Sequence, residues 1–138
     1  MPTFRYDKLV RDKIRQIHET NGDVVTGKTL SKSELIAGLL EKLEEERSEL
    51  SDAIATNKID DIESELADLY QVLEDIAATL AVSEDAIKAA KSKKFDKKGG
   101  FKKGQYIETV RIVHPHDPLI ARFRTDPAKF PELQDEQP

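Results

Sequence analysis

The sequence predicts an all-α protein: a bundle of about four helices, followed by a short strand or extended segment and a proline-rich C-terminal arm. Three observations lead to this prediction. Apolar residues recur every three or four positions through two long central segments. Capping residues and glycines delimit those segments. Five prolines follow residue 114 and exclude long regular structure there, so we expect a helical domain over residues 1–110 and an arm over residues 111–138.

The first two helices have recognisable start and stop signals. Asp7 is expected to cap a short first helix, which Gly22 ends. Ser31 and Glu34 have the spacing of a capping box, in which each side chain accepts a hydrogen bond from the other residue's backbone amide. The second helix should therefore begin there and continue to about Thr56.

The third and fourth helices repeat these signals. Asp60 has the position of a cap for a third helix that reaches about Leu80. Ser83 has the position of a cap for a fourth helix that ends at Gly99. Residues 106–113 then alternate enough for a short strand or extended arm. The apolar face expected on the third helix consists of Ile62, Leu66, Leu69, Leu73, Ile76 and Leu80.

Two acidic pairs interrupt the apolar faces of the second and third helices. Glu46 and Glu65 occupy positions where leucine or isoleucine is expected, and Glu49 and Asp68 follow each of them by three residues. Only Asn57 and Lys58 are expected to connect the second and third helices. Because so short a connection makes the two helices antiparallel neighbours, all four carboxylates should point toward one interior. Clustered carboxylates in an apolar setting repel one another, and Mg²⁺ or Mn²⁺ would relieve that repulsion. The alternative is a solvated, glutamate-rich edge of the bundle.

The net charge of −5 conceals a strong polarity along the chain. Residues 41–75 contain thirteen acidic and three basic residues, whereas residues 91–103 contain seven lysines and one acidic residue. An acidic block beside a basic one suits a polyanion bound through a metal, although ordinary surface charge would also explain the lysines.

Composition also excludes several classes of site. The absence of cysteine excludes disulfides, zinc–thiolate centres, iron–sulfur clusters and thiol nucleophiles. Residues 1–15 lack the apolar run of a signal peptide, and no stretch has the length of a membrane span, so we expect a cytoplasmic protein without a membrane partner.

The residues around the acidic pairs match a known pattern. Residues 42–50 read KLEEERSEL, residues 65–69 read ELADL, and fifteen residues separate Glu49 from Glu65. This ExxE, spacer and ExxD arrangement resembles the MazG-like all-α nucleoside triphosphate pyrophosphohydrolases. Residues 6–14, YDKLVRDKI, and 99–101, GGF, resemble one subgroup, the predicted house-cleaning pyrophosphatases related to phosphoribosyl-ATP pyrophosphohydrolase.

The resemblance implies a function and a set of site residues. The expected reaction is hydrolysis of a nucleoside triphosphate between the α and β phosphates, which clears noncanonical or surplus nucleotides. Family members are typically dimers or tetramers, so a homo-oligomer is expected, and the partner is a nucleotide rather than a nucleic acid polymer. The implied metal ligands for Mg²⁺, or Mn²⁺ as its substitute, are Glu46, Glu49, Glu65 and Asp68. Glu46 is counted as catalytic together with Glu45, which would orient the attacking water or support the ligands. The implied phosphate-binding residues are Lys94, Lys97, Lys98 and Arg11.

Two other functions remain open at this point. The same fold could hydrolyse phosphoribosyl-ATP in histidine biosynthesis, or the acidic helices could form a non-enzymatic interaction module. A di-iron carboxylate bundle requires Glu-x-x-His pairs in the helical core, and the sequence contains none.

Overall fold

The computed structural model describes residues 1–133, and within them it contains five α-helices and no strand. The helices are α1 (Ile14–Thr20), α2 (Lys32–Thr56), α3 (Ile59–Thr79), α4 (Glu84–Lys98) and α5 (Pro118–Arg124). The predicted all-α class is confirmed. Among these residues no helix combines the length and apolar character needed to cross a bilayer. The last part of the predicted arm, residues 134–138, lies outside the described residues.

The two ends of α2 follow the sequence prediction. Ser31 Oγ accepts a hydrogen bond from the Glu34 amide at 3.3 Å, and the Glu34 carboxylate accepts one from the Ser31 amide at 2.9 Å. The helix ends at Thr56, where Asn57 adopts a left-handed conformation with φ 53°. Only Asn57 and Lys58 connect α2 to α3, so the two helices pack against each other as an antiparallel pair.

Two predicted helix starts are wrong. Asp7 has φ 43° and caps nothing; α1 begins only at Ile14, after Lys13. Residues before α1 instead contact the central hairpin, since Leu9 lies against Gly38 of α2, and these contacts override the local helical pattern. α3 begins at Ile59, so Asp60 lies within its first turn, where a negative charge interacts favourably with the helix dipole.

The start and end of α4 agree with the prediction. Ser83 Oγ accepts a hydrogen bond from the Ala86 amide at 3.2 Å. Gly99 follows the last helical residue with φ 76°, a conformation that glycine adopts without strain.

The core of the first compact unit, Met1–Lys98, lies along the seam between α2 and α3. Its buried apolar side chains within the described residues are Leu39, Ala53 and Val72, and one charged side chain, Glu46, is buried with them. The apolar face expected for the third helix is only partly correct, because Leu66, Leu73 and Leu80 are exposed. A single neighbouring helix covers a narrower stripe than the apolar face that α3 presents.

The second compact unit begins at Gly99 and contains α5. The Asp117 side chain accepts the Leu119 amide at 2.9 Å, and Pro118 occupies the first helical turn, where its missing N–H removes no helical hydrogen bond. Phe123 stacks on Phe130 with ring centroids 4.6 Å apart. The prolines led us to expect an extended arm, but the arm contains a helix and is therefore not extended throughout. Residues 106–113, for which a short strand or an extended segment was predicted, form neither helix nor strand in the structure, so the strand alternative is wrong.

Candidate metal centre

Three of the predicted carboxylates converge at the α2–α3 seam. α2 supplies Glu46 and Glu49, which are close to one turn apart, and α3 supplies Glu65. One carboxylate oxygen from each lies within 4.8 Å of the other two. Glu46 is buried, Glu65 is half-buried and Glu49 is exposed, so the cluster extends from the helix seam to the surface.

Two oxygens in this cluster have no hydrogen-bond partner within the described residues. They are Glu46 Oε2 and Glu65 Oε2, and both are inaccessible to solvent. A buried carboxylate oxygen without a partner is costly, because the hydration it loses is not replaced. Mg²⁺ and Mn²⁺ prefer oxygen ligands of this kind, so the residues present fit a divalent cation.

Asp68 occupies a different position from the other three predicted ligands. It lies close to one turn beyond Glu65 on α3, and its Oδ1 forms an ion pair with the guanidinium of Arg11. Arg11 belongs to the segment that precedes α1. The structure therefore brings three of the predicted ligands together and pairs the fourth with one of the predicted phosphate-binding residues.

Lys42 connects the cluster to its neighbour Glu45. Its ammonium Nζ lies 2.9 Å from Glu46 Oε1 and 3.1 Å from Glu45 Oε2. Burial alone lowers the pKa of Lys42, but its hydrogen bonds to Glu46 and Glu45 outweigh that effect and raise the pKa. Lys42 thus places a positive charge beside the cluster. The sequence analysis did not name Lys42 as a residue of the site. The available signal was its position four residues before Glu46, the spacing of an ion pair along a helix.

Glu45 accepts hydrogen bonds from two lysines. Lys8 donates to its Oε1 at 3.0 Å and Lys42 to its Oε2 at 3.1 Å. The hydrogen bond from Lys8, followed by the one from Lys42, lowers the pKa of Glu45. A carboxylate that is held in its ionised form by two cations is a weak proton acceptor. This geometry favours the supporting role considered for Glu45 over the orientation of a water.

A family match covers the elements that carry the cluster. Residues 36–97 match the sequence model described as the MazG nucleotide pyrophosphohydrolase domain. This match supports the resemblance of the chain to the MazG-like superfamily. No curated protein and no solved structure shows significant similarity to the chain. The match supports hydrolysis of a nucleotide at a pyrophosphate linkage as the general activity. Together with the acidic cluster, it supports a divalent metal as the cofactor.

The predicted phosphate-binding lysines lie in and beside the end of the MazG domain. Lys94 and Lys97 fall within the matched residues, and Lys98 follows them immediately. All three are exposed on the last turns of α4. No ion pair among residues 1–133 joins them to the carboxylate cluster of the MazG domain. Their role in binding phosphate stays a prediction.

We expect Mg²⁺ to raise the melting temperature of the protein, because a ligand that binds only the native state stabilises it by mass action, by about 2.7 kcal/mol at a hundredfold excess over Kd. Glu65→Gln should abolish this shift and leave the metal-free fold at least as stable, since the change removes repulsion within the cluster. Differential scanning calorimetry with Mg²⁺ and with EDTA measures both effects. Glu63→Gln, an exposed carboxylate on the same helix, is the matched control. Identical curves in Mg²⁺ and EDTA for the unmodified chain would exclude the site.

The pH dependence of the thermal stability of the metal-free protein should reveal the raised pKa of Glu49. Partial burial of its carboxyl, the close approach of the Glu46 carboxyl and the charges of Glu46, Glu65 and Glu45 raise its pKa above the ordinary value of 4.5. The native state therefore binds a proton on the Glu49 carboxyl more tightly than the unfolded chain does, and this binding stabilises the native state. The stabilisation is complete below about pH 4.5 and is lost as pH rises through the native pKa.

Glu49→Gln keeps the side chain neutral at every pH. We therefore expect the variant to melt higher than the unmodified chain at neutral pH in EDTA, with the difference vanishing toward pH 4.5. Thermal melts across this range measure it. Glu41→Gln, an exposed residue on the same helix, should follow the unmodified chain. A difference that grows as pH falls would contradict the raised pKa.

Proposed function

We propose that the protein is a Mg²⁺-dependent nucleoside triphosphate pyrophosphohydrolase that releases nucleoside monophosphate and pyrophosphate and clears noncanonical or surplus nucleotides. One observation carries this proposal: three carboxylates converge within residues of the MazG domain, and two of their oxygens are buried without a hydrogen-bond partner in the described chain. The expected cytoplasmic location remains a prediction.

The cluster residues have distinct roles in this proposal. Glu46, Glu49 and Glu65 would hold the cation, and Asp68 would complete the ligand set. When bound, the cation neutralises negative charge on the phosphates and lowers the pKa of a water. The reaction then needs no nucleophile from the protein.

The basic residues would bind the substrate. Arg11 pairs with Asp68, so its guanidinium already lies beside a proposed ligand and is the phosphate contact that the geometry supports best. Lys94, Lys97 and Lys98 are proposed as further phosphate contacts. Glu45, which is held between Lys8 and Lys42, supports the ligands.

The products and the position of bond cleavage test this function. We expect turnover of a nucleoside triphosphate in H₂¹⁸O to release pyrophosphate and to place the label in the monophosphate, because water attacks the α phosphorus. Mass spectrometry of the products, over a panel of canonical and damaged nucleotides with phosphoribosyl-ATP included, locates the label. Glu46→Gln should abolish the reaction, and Glu63→Gln should retain it. Label confined to orthophosphate would contradict the proposal.

We further propose that the protein is a homodimer or homotetramer. Exposed apolar side chains form a stripe on α3, where Leu66 is 41% exposed, Tyr70 66% and Leu73 51%. These residues are spaced by four and three positions, so they share one face of the helix. Covering such a stripe with a second copy would remove it from water, at about 25 cal/mol per Å² of apolar surface.

Charge placed on this stripe should therefore dissociate the assembly. We expect the double variant Tyr70→Glu with Leu73→Glu to sediment as a smaller species than the unmodified chain in analytical ultracentrifugation. Ser64→Glu adds a carboxylate on the opposite side of α3 and should leave the assembly unchanged. A monomeric unmodified chain, or an unchanged double variant, would refute this interface.

A further inference from the structure

Lys42 is the cation in direct contact with the buried carboxylate of the cluster. Its Nζ lies 2.9 Å from Glu46 Oε1, and the two side chains are only 22% and 6% exposed. Most ion pairs along helices of this protein are far more exposed; the Lys88–Glu84 pair of α4, for example, is 68% and 80% exposed. Water therefore screens the Lys42–Glu46 contact much less than it screens the Lys88–Glu84 pair.

The two oxygens of Glu46 have different environments. Oε1 is held by Lys42, whereas Oε2 is buried without a hydrogen-bond partner in the described residues. The last torsion of a glutamate side chain is soft, so an unheld carboxylate rotates readily. The ammonium fixes this rotation and leaves Oε2 as the oxygen available to a cation.

Lys42 is itself held in place by Glu45. Glu45 Oε2 accepts from Lys42 at 3.1 Å, and Glu45 Oε1 accepts from Lys8 at 3.0 Å. Lys8 belongs to the segment before α1, where Leu9 packs against Gly38 of α2. A continuous chain of charged groups thus runs from the N-terminal segment through Glu45 and Lys42 to Glu46.

We propose that Lys42 is a positioning residue for Glu46, an inference that rests on the proposed function. Lys42 acts through the carboxylate that it orients, with Glu45 and Lys8 restraining its ammonium. Outer partners of this kind fix the geometry of metal ligands, and their loss typically lowers metal affinity about tenfold to a hundredfold.

Replacing Lys42 has two opposite effects on metal affinity. Removing a positive charge beside the cluster strengthens the attraction of the carboxylates for a divalent cation. Losing the contact that orients Glu46 weakens binding. The positioning role requires the second effect to be larger, so the sign of the change decides between positioning and simple charge balance.

The experiment measures Mn²⁺ affinity by electron paramagnetic resonance of the free ion, on the full-length chain and its variants. Lys42→Met should lower the affinity about tenfold to a hundredfold. It should also reduce kcat for a nucleoside triphosphate more than it changes KM, because a positioning residue acts on the reaction through Glu46. Lys42→Arg should recover most of both losses, since a guanidinium can donate to two carboxylates. Lys88→Met removes an exposed pair of the same i, i+4 spacing and should bind Mn²⁺ like the unmodified chain.

A second variant keeps the test decisive if Lys42→Met does not fold, which circular dichroism would show. Lys8→Met removes the outer restraint on Glu45 and should lower Mn²⁺ affinity several-fold, less than the loss at Lys42. Unchanged or tighter Mn²⁺ binding by a folded Lys42→Met, or by Lys8→Met in its place, overturns the positioning role alone. Failure of the unmodified chain to bind Mn²⁺ overturns the proposed function and this inference together.

Discussion

The burial of a glutamate side chain, Glu46, at the α2–α3 seam is the constraint on which the site depends. Glu46 lies among the few buried side chains of the α2–α3 pair. Transfer of a lone carboxylate into such a setting costs several kcal/mol, and a protein normally avoids that cost by protonation or pairing. Lys42 supplies the pairing at one oxygen. The other oxygen, Oε2, has no hydrogen-bond partner in the described residues, so only one of the two carboxylate oxygens of Glu46 is compensated for its burial.

The small core of the first unit follows from the same arrangement. Two antiparallel helices bury only the stripe that each turns toward the other, and part of that stripe is used by Glu46 and Glu65. Apolar residues that would complete an ordinary core, including Leu66 and Leu73, lie outside the seam and are exposed. The carboxylate cluster and the exposed apolar stripe therefore have a common cause: charged side chains occupy positions at the seam, and apolar side chains remain exposed outside it.

Local signals in the sequence predicted the features that depend on neighbouring residues. The capping box of Ser31 and Glu34, the end of α2 at Thr56 and the glycine after α4 are all set by contacts within a few residues. The convergence of Glu46, Glu49 and Glu65 was predictable too, because helical periodicity and a two-residue connection fix which faces of α2 and α3 meet.

Features that depend on distant contacts were missed. The segment before α1 has helical periodicity but forms no helix. Its Leu9 packs against α2, and its Lys8 and Arg11 form ion pairs with carboxylates of α2 and α3. No local sequence pattern predicts these contacts. Pro118 begins a short helix instead of preventing one, because the first turn requires no hydrogen bond from its nitrogen.

The cations around the acidic cluster come from two parts of the chain with different constraints. Lys42 is fixed by its place on α2, one turn before Glu46, so its charge balances the cluster whenever the helix forms. Lys8 and Arg11 precede α1 and reach Glu45 and Asp68 only when the N-terminal segment packs against the hairpin. Their side chains are 47% and 59% exposed, so water competes for these contacts and each contributes little to the free energy of unfolding. A weak ion pair between Arg11 and Asp68 is what a phosphate-binding role requires, because the guanidinium must exchange a carboxylate for a phosphate at little cost. The contact that water screens least thus lies at Glu46, and the more exposed contacts lie at Glu45 and Asp68.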